Sequence, residues 1–197
     1  MLEVFNLECR LSERLVFQNL SFILERKETI EIIGSNGSGK TTLLKALVGL
    51  IPETNGDIKY NGSILKSLFY SQCFYQGHLL AIKNSLTIFE NLKLSFPEYL
   101  RTELVNEAID KVGLISYANR PCADLSVGQF RKVAIAKLIL CKRPLYLIDE
   151  PFTALDDSSI SLVSDLIMDM KSNGSSFILT GHRGSDLADK TLNLDEL

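Results

Sequence analysis

Residues 29–48 read TIEIIGSNGSGKTTLLKALV, and this stretch decides the fold class. The first five residues are rich in β-branched side chains and predict a short strand. A glycine-rich turn follows directly, and the apolar pattern from Thr41 onward predicts a helix that closes at Gly49. Strands that alternate with helices along the chain are typical of a largely parallel sheet with crossover connections.

The glycine-rich turn, Gly34–Thr41, has the spacing Gly-x-x-x-x-Gly-Lys-Ser/Thr. Glycines let successive backbone N–H groups face a phosphate, and the following helix adds the positive end of its dipole. In such a loop Lys40 reaches the β- and γ-phosphates, and the hydroxyl of Thr41 binds Mg²⁺. The predicted nucleotide-binding residues are Gly34, Ser35, Asn36, Gly37, Ser38, Gly39, Lys40, Thr41 and Thr42.

An acidic pair, Asp149 and Glu150, follows the apolar run at 145–148. The carboxyl ends of parallel strands line the ligand crevice of such sheets, so Asp149 is expected beside the Mg²⁺. Glu150 is then placed to orient or deprotonate an attacking water. An acidic pair alone is more often a helix cap, but together with the phosphate loop it predicts catalysis on a bound nucleotide, with Glu150 and Lys40 as catalytic residues.

The segment LSVGQ at 125–129 changes the class of the prediction. Ser126 alone predicts only the start of a helix, because serine is a good N-cap. Placed between a phosphate loop and a strand that ends in Asp-Glu, LSxGQ resembles the signature motif of the ATP-binding cassette (ABC) ATPases. The chain resembles that family over nearly its whole length. The resemblance implies that two copies of the chain sandwich two ATP molecules. Ser126, Gly128 and Gln129 of one copy would contact the γ-phosphate held by the other.

The same resemblance implies roles for two further residues and leaves one position open. His182 matches the histidine that touches the γ-phosphate and counts as catalytic, and Asp156 matches the acid that lies near both sites of the dimer. Leu79 stands where the family has a glutamine that binds Mg²⁺ and senses the membrane partner. Gln76, His78 or a water molecule are the alternatives for that role.

The nucleotide base is a second departure from the family, which has a stacking aromatic residue near position 11. This chain has Arg10 and Leu11 there. A guanidinium group can stack on a base, so Arg10 is a candidate. Phe17 is the alternative, although its position on a strand favours a place in the core.

The expected fold is α/β: a P-loop NTPase core with a mixed sheet, an antiparallel β flank and an inserted helical subdomain. The alternating pattern over 2–24 predicts the antiparallel strands. Helical stripes dominate the middle of the chain. We therefore expect a single ABC ATPase domain over 1–197, with a sheet core at 1–80 and 143–197 and a helical subdomain at about 81–142.

Composition excludes several classes of protein. The 197 residues suit one domain, and the net charge of −3 lacks the basic excess of a dedicated nucleic-acid binder. No apolar run approaches the ~18 residues that cross a bilayer, and the first residues carry no basic signal-peptide region. We therefore expect a soluble cytoplasmic chain. The four cysteines have no metal-ligand spacing, so we expect them to be free thiols and expect no metal beyond Mg²⁺.

A narrower resemblance rests on Gly77-His78, on Leu86-Thr87, on Glu90-Asn91-Leu92 and on DEPFTALD at 149–156. These segments resemble the haem-exporter ATP-binding subunits of bacterial cytochrome c maturation. The resemblance implies a multi-span membrane permease partner, a second ATPase copy, and a peripheral position on the cytoplasmic face of the bacterial inner membrane. His78 fits the linker better than a haem site. The alternatives are the ATPase subunit of a transporter for another small molecule and an ATP-dependent switch outside transport.

Overall fold

The computed structural model describes residues 1–52, 54–64, 71–78, 80–96, 101–182 and 184–196. Leu79, where the linker glutamine is expected, lies outside these residues. The chain divides into two compact units. The first comprises Met1–His78, Arg143–Pro151 and Ile167–Leu197, and the second comprises Leu79–Lys142 and Phe152–Leu166.

The strands and helices are numbered in chain order. The strands are β1 (Leu2–Leu11), β2 (Arg14–Leu24), β3 (Thr29–Ile33), β4 (Thr54–Tyr60), β5 (Ser63–Ile64), β6 (Cys73–Gln76), β7 (Leu145–Ile148), β8 (Ser176–Gly181) and β9 (Lys190–Asn193). The helices are α1 (Lys40–Leu47), α2 (Ile88–Ser95), α3 (Thr102–Lys111), α4 (Val127–Leu140) and α5 (Asp157–Ser172).

A parallel sheet in the first unit positions the site. Its strand order is β6-β7-β8-β3-β9, and every neighbouring pair is parallel. All four residues of β7 and most of β3 and β8 are buried, as expected of strands covered on both faces. The carboxyl ends of β3, β7 and β8 therefore share one edge, and the three predicted site segments follow them.

An antiparallel sheet of order β2-β1-β4-β5 forms the flank of the same unit. The first pairing joins Leu2 to Leu24, and the turn at Asn61-Gly62 has the positive φ values, +49° and +77°, of a tight hairpin. Inward side chains of this sheet, such as Val4 and Leu20, share one apolar core with α1 and the parallel sheet.

The second unit is mainly helical, and capping boxes begin two of its helices. The Thr87 side chain accepts a bond from the N–H of Glu90 at the start of α2, and Ser126 does the same for Gln129 at the start of α4. On α3 the spacing of Val105, Ala108 and Ile109 gives one buried face. Side-chain caps thus define the starts of α2 and α4, and an apolar stripe defines the buried face of α3.

The structure confirms the predicted α/β class, with a parallel sheet and an antiparallel flank. The short strands β6 and β9 were not predicted. The boundary of the helical subdomain stays a prediction, although residues 152–166 group with the second unit. All four cysteines lie within the described ranges, where they are buried and form no disulfide. No helix of the described ranges is long and apolar enough to cross a membrane.

Candidate functional site

The turn after β3 presents backbone N–H groups at the start of α1. Gly37 and Gly39 have φ of +84° and +105°, which side chains other than glycine rarely adopt. The N–H of Leu43 donates to the carbonyl of Gly39 at 2.7 Å. The N–H groups of the first turn, which precede Leu43, have no carbonyl within the helix that could accept their hydrogen bonds. These donors, at the positive end of the helix dipole, are suited to phosphate oxygens.

Two glycines of the loop also allow close packing. A Cβ at Gly39 would lie 2.7 Å from Cγ1 of Val16, and a Cβ at Gly34 would lie 2.5 Å from Oγ of Ser38. The Ser38 hydroxyl is buried without a hydrogen-bond partner. The loop therefore has no room for a side chain at Gly34 or at Gly39.

Lys40 and Ser35 are held inside the first unit. The buried Lys40 ammonium donates to the carbonyl of Gly34 at 2.6 Å and to that of Ser35 at 3.0 Å. The N–H and hydroxyl of Ser35 donate to the Asp195 carboxylate at 2.8 and 2.9 Å. Ser35 was predicted to bind nucleotide, and both of its donors already have an acceptor. Asp195 was not predicted.

Asp149 joins the phosphate loop to two strands. One of its carboxylate oxygens accepts from the Thr41 hydroxyl and the other from the Thr180 hydroxyl, each at 2.7 Å. Its N–H donates to the carbonyl of Gln76 at 2.8 Å. The predicted pair of Thr41 and Asp149 is thus brought together, and Thr180, at the carboxyl end of β8, is a third member that sequence reasoning missed.

Glu150 adopts a strained backbone beside this network. Its φ is +50°, in the left-handed region that costs a non-glycine residue about 1 kcal/mol or more. Its N–H donates to Thr180 Oγ1 at 2.8 Å, and Nε2 of His182 lies 3.6 Å from its Oε1. Two predicted catalytic residues, Glu150 and His182, therefore face each other across the ends of β7 and β8.

The oxygen atoms near Asp149 suit Mg²⁺. Thr41 offers a hydroxyl and Asp149 a carboxylate, the ligand types that this ion prefers. Gln76 adds a buried amide oxygen that has no hydrogen-bond partner. Among the three alternatives for the missing linker glutamine, this orphan oxygen favours Gln76, whereas His78 is exposed.

Tyr75 explains the glycine of the Gly77-His78 segment. Its hydroxyl is buried and without a hydrogen-bond partner, and a Cβ at Gly77 would lie 2.6 Å from it. Burial, with a smaller contribution from the nearby charge of Asp149, raises the pKa of Tyr75 to about 12. Tyr75 is therefore a neutral phenol in this part of the site.

A pocket of about 390 Å³ runs from the phosphate loop to the hairpin of β1 and β2. Glu150 lines it at one end, and Leu11, Arg14 and Val16 line it on the hairpin side. No aromatic side chain of the described residues lines it. Arg10, the predicted stacking candidate, instead pairs with Glu8 at 2.8 Å, and Phe17, the alternative, is buried in the core. Arg14 takes the place that was expected of Arg10.

The remaining predicted residues belong to the second unit. Ser126 and Gln129 form the capping box of α4, and a Cβ at Gly128 would meet no atom within 4 Å. The Asp156 carboxylate accepts bonds from Ser159 N–H and from the Ser158 hydroxyl, and Lys132 lies 3.5 Å away. Hydrogen bonding from Ser159, then from Ser158, holds the pKa of Asp156 well below its usual range.

Comparison with known proteins agrees with this geometry. The family described as ABC transporter matches residues 17–153. The cytochrome c biogenesis ATP-binding export protein CcmA of Hahella chejuensis is 37% identical over 193 residues, which is 95% of this chain and 92% of the relative. The protein of the same name from Dechloromonas aromatica is 40% identical over 189 residues, 93% of each chain.

Solved structures show the same fold. An ATP-binding subunit of an ABC transporter superposes with a TM-score of 0.81 at 29% identity, over 92% of this chain and 79% of that one. A dimeric ATP-binding cassette in a post-hydrolysis state with ADP and phosphate has a TM-score of 0.80 at 21% identity, over 93% and 88%. Since the sequence match and the phosphate-loop geometry agree, this chain belongs to the ABC transporter family, as an ATPase among the relatives of CcmA.

Proposed function

We propose that this chain is the ATP-hydrolysing subunit of a membrane transporter complex that serves cytochrome c maturation. One observation carries the catalytic part: Glu150 is held in a strained conformation beside Asp149, and it lines the same pocket as the phosphate loop. The CcmA relatives, which match over nearly the whole chain, support the biological role.

The phosphate loop binds the triphosphate of ATP. N–H groups at the start of α1 donate hydrogen bonds to phosphate oxygens. The Lys40 ammonium, which donates to the carbonyls of Gly34 and Ser35 in this structure, donates to the β- and γ-phosphates when ATP is bound. The nucleoside then extends toward Leu11 and Arg14 on the hairpin. Because the triphosphate carries most of the charge of ATP, we expect the phosphate loop to supply most of the free energy of ATP binding.

Hydrolysis uses the acidic side of the pocket. Glu150 accepts a proton from the attacking water, and His182, 3.6 Å from its carboxylate, contacts the γ-phosphate. Lys40 and the loop N–H groups stabilise the charge that develops on the phosphate oxygens. Thr41, Asp149 and Gln76 are the residues that would hold Mg²⁺, whose chemistry when bound is neutralisation of phosphate charge.

A second copy of the chain completes each site. Gly128 lies in the first turn of α4, where glycine costs up to about 1 kcal/mol relative to alanine. Apart from its chain neighbours and the backbone of its own helix, no atom of the described residues lies within 4 Å of its missing Cβ, and Val127 beside it is 72% exposed. An exposed helix start with a bare glycine suits close approach of a phosphate from outside the chain. The proposed partner is a homodimeric copy that shares two ATP molecules.

The membrane partner is a multi-span permease subunit. The proposed location of the chain is the cytoplasmic face of the bacterial inner membrane, where that subunit holds it peripherally. The net charge of −3 offers no basic surface excess, so nucleic acid is not a proposed partner. The cargo moved by the complex is left open in this proposal.

The test uses the source bacterium with a single chromosomal copy that carries Glu150→Gln. Covalent c-type haem is measured in membranes by haem staining, b-type haem by spectroscopy, and expression by immunoblot. Glu196→Gln serves as the matched control, because Glu196 is an exposed carboxylate that contacts Asn193.

Loss of c-type haem with b-type haem retained would support the proposal. Unchanged c-type haem in cells that express the variant would overturn the role in cytochrome c maturation. Loss of both haem types would also count against it, because that pattern indicates a defect in haem supply.

A further inference from the structure

Glu31 is a buried acid in the strand that leads into the phosphate loop. It is 2% exposed and stands among apolar residues in the middle of β3. Moving a carboxylate out of water costs several kcal/mol unless hydrogen bonds compensate. The mechanism above does not use this residue, so its burial requires another explanation.

Ser185 supplies the compensation. Its N–H and its hydroxyl both donate to Oε2 of Glu31, at 2.6 and 2.7 Å. Bonds from neutral donors to a carboxylate are stronger than bonds between neutral groups, and burial strengthens them further. The pair therefore fixes the backbone at Ser185 to the middle of β3.

Ser185 lies close in sequence to a residue of the site. His182 lies three residues before Ser185, and Gly34 lies three residues after Glu31. A single carboxylate thus ties the segment that follows His182 to the strand that ends at the phosphate loop. A second attachment lies four residues further on, where Thr29 and Asp189 exchange bonds of 2.7 and 2.9 Å.

The imidazole of His182 has little support of its own. Its side chain is 55% exposed, and its contact with Glu150 spans 3.6 Å, longer than a good hydrogen bond. The direction of the imidazole is therefore governed by the backbone on either side. Before His182 that backbone is β8, and three residues after it Ser185 is bound to Glu31.

We infer that Glu31 is a positioning residue, which holds His182 toward the γ-phosphate by anchoring Ser185. The inference deepens the proposed function, because it assigns to a core residue the placement of a side chain of the site. Glu31 itself touches neither ATP nor Glu150 in this arrangement. Its effect on hydrolysis passes through Ser185, which lies three residues along the chain from His182.

The primary test is proton NMR of the full-length chain, at fixed pH and without nucleotide. The chain has two histidines, so the Cε1–H resonance of His78 is an internal reference for that of His182. Glu31→Leu removes the acceptor, whereas Glu31→Gln keeps one oxygen that can accept both bonds from Ser185. Glu8→Leu is the control for loss of a carboxylate, because Glu8 pairs with Arg10 on the flank.

In Glu31→Leu we expect the His182 resonance to shift or broaden while that of His78 stays in place. Glu31→Gln and Glu8→Leu should leave both resonances unchanged. A folded Glu31→Leu variant with an unmoved His182 resonance would overturn the inference. If Glu31→Leu fails to fold, Ser185→Ala, which removes one of the two donors, decides by the same criterion.

ATPase kinetics give the second readout. We expect Glu31→Leu to lower kcat by about tenfold with ATP affinity within about threefold, since the change acts on the hydrolytic step. In a His182→Ala background the same substitution should cause no further loss. Equal losses in both backgrounds would mean that Glu31 only stabilises the fold. The NMR result does not depend on hydrolysis or haem, so failure of the proposed function leaves it decidable.

Discussion

Arg14 and Arg10 differ by four positions on the hairpin of β1 and β2, and only Arg14 lines the pocket. The Arg14 guanidinium makes no hydrogen bond or ion pair with the described residues and is available to a nucleotide. We predict that Arg14→Ala raises the Kd for ATP by about three- to tenfold, the loss expected of one stacking or charge contact. Arg10→Ala should leave it unchanged, because Arg10 is paired with Glu8. Titration with a fluorescent ATP analogue measures both values.

Arg14→Lys separates the two contacts that Arg14 could make. A lysine keeps the charge and loses the planar face, so a stacking role predicts weak binding like that of Arg14→Ala. An electrostatic role predicts near wild-type binding. Equal weakening by Arg10→Ala and Arg14→Ala would show that net charge, and not the pocket wall, governs affinity.

Site residues could be predicted where the chemistry is contiguous in sequence. The phosphate loop and the pair at 149–150 are local motifs, and the structure brings Thr41 to Asp149 as expected. Thr180 could not be identified this way, because strand pairing brings it to Asp149 from a distant part of the chain. Gln76 was only one of three alternatives for the linker role, and the pairing of β6 with β7 is what brings it to Asp149. Such contacts depend on sheet order, which a single sequence does not determine.

At the scale of elements, α4 carries a buried lysine. Lys137 donates to the carbonyls of Leu80 and Ala81 at 3.2 and 2.5 Å. Burial lowers its pKa to about 8, and the nearby Cys122 opposes that shift. A neutral amine still has two N–H donors, so both carbonyls keep their partner after the proton leaves.

The stability of the chain should therefore depend on pH through Lys137. Between pH 8 and 10.5 the unfolded chain keeps a proton that folded Lys137 has lost, so the free energy of unfolding rises with pH. The rise attributable to this residue is at most ~3 kcal/mol. Below pH 8 both states are protonated and the dependence ends.

Urea denaturation at pH 8 and pH 10 measures this rise as a difference between wild type and Lys137→Met. The rise should be absent in Lys137→Met and present in Lys111→Met, which replaces an exposed lysine of α3. The same rise in all three proteins would assign it to other groups.

Asn91 of α2 organises the residues before the helix. Its amide nitrogen donates to the carbonyls of Lys83 and Thr87 at 3.0 Å, and its oxygen accepts from the Lys83 N–H at 2.8 Å. We predict that Asn91→Leu, similar in size, lowers the free energy of unfolding by about 2–4 kcal/mol, because buried backbone groups lose their partners. The control Asn173→Ala, at an exposed helix end, should change it by less than about 0.5 kcal/mol. Equal changes would refute the role of Asn91.

Elements were predictable in proportion to their length and periodicity. The apolar stripe and Gly113 anticipate α3, and Ser126 anticipates the start of α4. The strand β9, Lys190–Asn193, escaped prediction because it is short and half polar. It forms by pairing with β3, a contact between distant residues that local patterning does not encode.

At the scale of the whole molecule, the proposal that each ATP site combines the phosphate loop of one copy with the LSVGQ segment of another leads to a testable prediction. Lys40→Ala removes the phosphate contact of its own loop, and Gly128→Asp puts a negative charge on the start of α4. Because no neighbouring side chain of the described residues lies within 4 Å of the missing Cβ at Gly128, we expect the second substitution to leave the fold intact. If each site combines two copies, either variant alone should be inactive as a purified chain.

A mixture of these two variants should recover activity. In a mixed dimer, one site pairs the intact loop of the Gly128→Asp copy with the intact LSVGQ of the Lys40→Ala copy. Random pairing makes half of the dimers mixed, with one of two sites intact, so phosphate release should reach about a quarter of the wild-type rate. Mixing wild type with a Lys40→Ala/Gly128→Asp double variant is the control. Every site of that mixed dimer carries one defect, so only the wild-type dimers, about a quarter of all dimers, should be active, whereas sites complete within one chain would give about half of the wild-type rate. Recovery in the first mixture, together with about a quarter and not half of the wild-type rate in the control, requires sites shared between copies. No recovery in the first mixture, or full activity of Gly128→Asp by itself, would place each complete site within one chain.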